Sequence, residues 1–148
     1  MINIRTPHEV ELLREAGRVV AKTHAYLKQF IKPGITTKEL DKLAEDYILS
    51  CGATPSFKGL YGFPGCICIS LNDMVIHGIP DKTKLKEGDI VTLDIGACLN
   101  GYHGDSAWTY KVGNISKEAE YLMQVTHDAL FAGLAQAKPG NRVGDISA

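Results

Sequence analysis

The feature that most restricts the fold is the dipeptide Asn100-Gly101, set between two stretches of alternating character. Asn-Gly favours a two-residue hairpin loop, because both central residues of that turn need positive φ and its twist matches the flanking strands. Before the turn, Asp89 to Cys98 reads as a strand with Val91, Leu93 and Ile95 on one face and Thr92, Asp94 and Gly96 on the other. After it, Tyr102 to Val112 reads as the partner strand, ended by Gly113-Asn114. A two-residue loop puts Leu99 opposite Tyr102 and Asp94 opposite Ala107. Asp105 then shares a face with Asp94 as its diagonal neighbour, with Cα atoms roughly 7–8 Å apart. A loop one residue longer or shorter would send the two carboxylates to opposite faces.

Two like charges converging on one face of a sheet with an apolar back are unfavourable unless something compensates them. A divalent cation would do so, and a bridging carboxylate suits a pair of ions about 3.5–4 Å apart. A solvated face needs no ligand at all, and on geometry alone it is the stronger reading.

Helices flank this hairpin in the sequence. Thr6, Pro7 and Glu9 form a capping box with proline at the first helical position, and apolar residues recur at helical spacing from Leu12 to Phe30. Lys32-Pro33-Gly34 stops that helix. Thr36 and Glu39 open a second, which runs to about Cys51-Gly52. Gly59, Gly62, Pro64 and Gly65 mark a loop, and Cys66 to Leu71 is a short strand bounded by turn residues. A third helix spans about Lys117 to Ala137 and is stopped by Lys138-Pro139-Gly140. That stop and the following Asp145-Ile146 repeat Lys32-Pro33-Gly34 and Glu39-Leu40 at an offset of 106 residues (138 − 32). The shared spacing favours a duplicated helix–stop–helix unit, with the chain breaking off as a second unit opens.

Composition removes some classes of function. A length of 148 residues fits one domain, and a net charge of −1 gives no electrostatic reason to expect nucleic acid or an anionic membrane as partner. No run approaches the ~20 apolar residues of a membrane span. The N-terminus passes straight into a charged helix without a signal-peptide core, so a cytoplasmic protein is expected. The cysteines at 51, 66, 68 and 98 form no C-x-x-C pair and read as buried thiols.

Asp94-Ile95-Gly96-Ala97 and Gly104-Asp105-Ser106-Ala107 resemble the aspartate hairpin of the pita-bread metallopeptidases. With Asn72, Val75, His77-Gly78-Ile79-Pro80 and Gly88-Asp89-Ile90-Val91, the match is to the type I methionine aminopeptidases, and it runs over almost the whole chain. The resemblance implies an α+β pita-bread fold, of which this chain supplies the first half: helices packed on an antiparallel sheet that contains the metal-site hairpin. Residues 1–148 would form one catalytic-type domain, with a first repeat unit over about 1–112 and the start of a second over about 113–148. The implied activity is metal-dependent removal of the N-terminal methionine from nascent proteins. Asp94 would chelate one of two divalent ions (Co, Mn, Fe, Zn or Ni) and Asp105 would bridge both. His77 would bind substrate and assist proton transfer. Phe63 and Cys68 would line the pocket for the methionine side chain. The substrate would be a peptide or nascent-protein N-terminus, with the ribosome close by.

The same resemblance exposes a deficit. The family uses five protein ligands, and the histidine and two glutamates of its second half have no counterpart here; His103 and His127 do not replace them. One copy of this chain is therefore expected to show little or no peptidase activity, and its half-covered sheet is expected to self-associate. Two other readings use the same scaffold: a pita-bread binding module without catalysis, and a prolidase- or aminopeptidase P-like exopeptidase. His77-Gly78-Ile79-Pro80 favours the methionine enzyme over the latter.

Overall fold

The computed structural model describes residues 3–148. Helix α1 (Pro7–Leu27) begins at the expected capping box, in which Thr6 Oγ1 accepts from the Glu9 amide and the Glu9 carboxylate accepts from the Thr6 amide. Its end tightens into a 3₁₀ turn over Lys28–Phe30. Helix α2 (Thr37–Ser50) carries the same device at Thr36 and Glu39. Four strands follow: β1 (Thr54–Pro55), β2 (Cys68–Leu71), β3 (Ile90–Leu99) and β4 (Tyr102–Lys111).

Strand β3 is the spine of the sheet. β4 pairs antiparallel along its whole length on one side, and β2 and β1 pair with different parts of it on the other. The hairpin register is the expected one: Leu99 faces Tyr102, Asp94 faces Ala107 and Gly96 faces Asp105. Asn100 and Gly101 both adopt positive φ, 52° and 82°, as a type I′ turn demands. Val91, Leu93, Ile95 and Ala97 are fully buried on the sheet face turned to the helices, where they join Val20, Leu27, Leu40, Ala44 and Ile48. Gly104 allows the closest approach of helix to sheet, since a Cβ there would lie 2.6 Å from the Gly17 nitrogen and 2.7 Å from the Ala16 carbonyl.

The structure departs from expectation at strand ends. β2 begins at Cys68 rather than Cys66, because Asp41 Oδ1 takes the Cys66 and Ile67 amides at 2.7 and 2.9 Å before the sheet can use them. β3 begins at Ile90, since the Asp89 amide closes a turn on the Lys86 carbonyl at 3.2 Å, a turn braced by the Asp89 carboxylate, which accepts from the Lys86 amide and the Asn72 side chain. β1 is a strand for which the sequence carried no assignment; Pro55 contributes no N–H, which keeps it to two residues.

The chain divides into two compact units, the second being Ile115–Ala148. This unit holds α3 (Lys117–Ala135), capped by Ser116, and a one-turn α4 (Val143–Ile146). The α3 stop repeats the earlier elbow in geometry. Gly34 and Gly140 have φ of 96° and 95°, and the Arg142 amide donates to Asp145 as the Thr36 amide donates to Glu39. Among the described residues, no helix is long and apolar enough to cross a membrane.

Candidate metal centre

The sheet face turned away from the helices carries the candidate site residues. On β3 it presents Thr92, Asp94 and Gly96; on β4, His103, Asp105, Ala107 and Thr109; on β2, Cys68 and Ser70. Asp94 is flanked across the ladder by Cys68 on one side and Ala107 on the other, and Asp105 is its diagonal neighbour. Farther along, the Thr92 and Thr109 hydroxyls hydrogen-bond across the strands at 2.8 Å.

Partial burial pushes the Asp94 carboxyl up to about 6, and the neighbouring Asp105 carboxylate adds to the rise by repelling its charge and by sharing a hydrogen bond with its protonated form; His77 acts weakly in the opposite sense. Burial, aided by the charges of Asp94, Asp105 and Asp41, raises the Cys68 thiol to about 11, so it is a neutral wall rather than a thiolate. The pair of carboxylates thus bears an electrostatic cost that a bound cation relieves. Their oxygen donors suit a hard or borderline divalent ion. Among the described residues, no third His, Cys, Asp or Glu converges to complete a ligand set.

Two loops border this face. Ser56 and Phe57 fold over Gly96: the Ser56 amide donates to the Gly96 carbonyl at 3.0 Å, and a Cβ on Gly96 would lie 2.6 Å from the Phe57 ring. The second loop carries His77, exposed and left-handed at φ 58°. Phe63 and Pro80 meet at Gly65, where a Cβ would lie 3.1 and 2.8 Å from their rings, so Phe63 abuts the loop that bears His77.

The structure therefore sets Asp94, Asp105 and Cys68 on one face, with His77 on a bordering loop, where its charge acts weakly on Asp94, and Phe63 against that loop. His103 shares that face with Asp105, but its Nδ1 pairs with Ser56 Oγ at 2.8 Å. His127 lies on α3 beside Asp128 and the Phe131 ring. Sequence reasoning missed Phe57 and His24. Phe57 had a faint signal, an aromatic residue one position before Lys58-Gly59. His24 had none, because its partners Tyr110 and Ser106 are 86 and 82 residues away.

Residues 11–148 match the metallopeptidase family M24. The chain is 58% identical over 147 residues to methionine aminopeptidase 1 of Bacillus subtilis (strain 168), covering 99% of this chain and 59% of that relative. The crystal structure of methionine aminopeptidase from Rickettsia prowazekii superposes with a TM-score of 0.97 at 39% identity, over 99% of this chain and 59% of that one. The prolidase of Pyrococcus furiosus shares the fold, with a TM-score of 0.86 at 23% identity, over 97% of this chain and 41% of that one. The chain thus spans about three-fifths of the length of the curated methionine aminopeptidases it matches. With the aspartate hairpin inside the matched region and the pita-bread architecture around it, the chain belongs to metallopeptidase family M24.

Proposed function

We propose that this chain provides the aspartate half of a divalent-metal centre that removes N-terminal methionine from peptides and nascent proteins. The observation that carries the reading is the placing of Asp94 and Asp105 as diagonal neighbours beside Cys68. The contrast between 58% identity to a methionine aminopeptidase and 23% to a prolidase favours methionine over a proline-directed substrate.

In this reading Asp94 and Asp105 would hold the divalent ions. Such ions would supply Lewis acidity, which activates water and polarises a carbonyl. His77 meets the substrate and handles a proton at the site's edge. The neutral Cys68 thiol and the Phe63 ring suit an unbranched thioether, since soft sulfur and aromatic surfaces attract one another. Two carboxylates hold a divalent ion weakly, so the chain alone binds metal poorly and cleaves little.

Isothermal titration of the 148-residue chain with Mn²⁺ or Co²⁺ is expected to show weak binding, lost by at least about 10–100-fold in Asp94→Ala and Asp105→Ala, the range seen for disturbing even a ligand's outer partner. A chimera that continues this chain with the rest of the Bacillus subtilis relative is expected to release methionine from a Met-Ala-Ser peptide, and to lose that activity with Asp94→Ala. Absence of cleavage by the chimera with each of Mn, Co, Fe and Zn overturns the reading. Absence of any metal binding by the chain favours a non-catalytic module on the same scaffold.

A further inference from the structure

His77 adopts a backbone conformation that a side chain-bearing residue enters at a cost, and such conformations persist only where the surroundings enforce them. The enforcement is on the next residue. Gly78 is buried, and both of its backbone polar groups are engaged by β2. Its carbonyl accepts from the Ile69 amide at 2.9 Å, and its N–H donates to the Ser70 hydroxyl at 3.2 Å. There is no room for adjustment at its Cα, since a Cβ there would collide with the Ile69 carbonyl oxygen. Ser70 is only 5% exposed and pairs with Thr92, one pleat along from the Cys68–Asp94 pair. Its hydroxyl is the side-chain hydrogen-bond acceptor in this clamp, against which the Met74 sulfur also packs, and it stands on the strand that also flanks Asp94.

We propose that Ser70 is a positioning residue, whose hydroxyl anchors the Gly78 amide to β2 and so holds His77 in its left-handed conformation beside the aspartate pair. The proposal rests on the reading of His77 as a group that acts at that site. A buried amide leaves an unmet donor when its acceptor is removed, so the segment 77–78 must shift to find water. A strand residue then sets the aim of a histidine seven positions later (77 − 70). Gly78 in turn is required because only glycine can lie so close to Ile69.

The test uses the isotope-labelled 148-residue chain as wild type, Ser70→Ala and Ser70→Thr. Three NMR quantities are read: hydrogen exchange of the Gly78 amide, the couplings that report the sign of φ at His77, and broadening of the His77 ring signals by Mn²⁺. In Ser70→Ala, Gly78 is expected to exchange about tenfold faster, a change within the range for one lost hydrogen bond. His77 is expected to lose its positive φ and its Mn²⁺ broadening, while the Leu93 amide keeps its protection. Ser70→Thr, which retains the hydroxyl, is expected to restore all three. Unchanged Gly78 exchange and His77 couplings in Ser70→Ala overturn the proposal. If Mn²⁺ broadens neither Cys68 nor Ala107 in the wild type, the metal-site reading fails instead, and the exchange and coupling data still decide the role of Ser70.

Discussion

At the scale of single residues, the buried histidine of α1 gives a pH dependence whose sign can be worked out. His24 is 8% exposed, with Nε2 at 3.1 Å from the Ser106 carbonyl oxygen and Nδ1 at 3.1 Å from the Tyr110 hydroxyl. Burial lowers its pKa, and the bond to Ser106 offsets this only in part. Tyr110 is itself raised to about 12 by burial, so it stays neutral over the relevant range. In the unfolded chain His24 takes up a proton near its ordinary value of about 6.5. The folded chain resists until the pH is lower, so between these points the unfolded state binds more protons and stability falls as pH falls. Its full contribution is present above about 6.5. Urea midpoints measured from pH 8 down to pH 5 are expected to fall more steeply for the wild type than for His24→Gln; parallel curves would refute this. A second residue-scale expectation concerns Gly104. Its neighbours across the gap are helix backbone, which cannot rotate aside, so Gly104→Ala is expected to cost about 1–3 kcal/mol in denaturant unfolding. Asp94 and Asp105 were legible in the sequence because strand alternation places them; His24, Asp41 and Ser70 were not, because their roles depend on partners brought together only by folding.

At the scale of elements, legibility follows the range of the interactions that fix each boundary. Both capping boxes and the Asn100-Gly101 turn are local, closing over three residues or two, and all were readable. β1 depends on Ala97 and Cys98, and the first residue of β2 on Asp41, all far off in sequence, so neither could be placed from the chain alone. The α2 cap is worth a direct measurement, because Thr36 holds two roles. Its hydroxyl accepts from the Glu39 amide at 3.1 Å, and its backbone bridges to Lys84. Substituting alanine removes the first and leaves the second. Thr36→Ala is therefore expected to cost about 1 kcal/mol, the usual value of a helix N-cap, in thermal or urea unfolding. The Glu39 carboxylate, now held below its ordinary range chiefly by the hydrogen bonds it accepts from the Thr36 hydroxyl and amide, should rise in the variant as the hydroxyl donor is lost, which NMR titration of its carboxyl carbon would register.

At the scale of the whole molecule, the core is unevenly shared. Every residue of the main hydrophobic cluster lies between Val19 and Val112, and no residue of α3 or α4 is buried. The third helix leaves Tyr121, Leu122, Phe131 and Leu134 more than half exposed. Its supports within this unit include its own hydrogen bonds, the Ser116 cap, the acidic residues of its first turn, Glu118 and Glu120, and Ile146 of α4, which packs at Gly133. A helix of 19 residues with none of them buried opens far more readily than a strand whose apolar face is sealed. The periodicity of α3 made it readable as a helix, but an apolar stripe looks the same in a sequence whether or not anything covers it. Native-state hydrogen exchange separates the cases. Amides of β3 are expected to exchange only through global unfolding, and those of α3 through local opening with much lower protection. Equal protection in α3 and β3 would overturn this expectation.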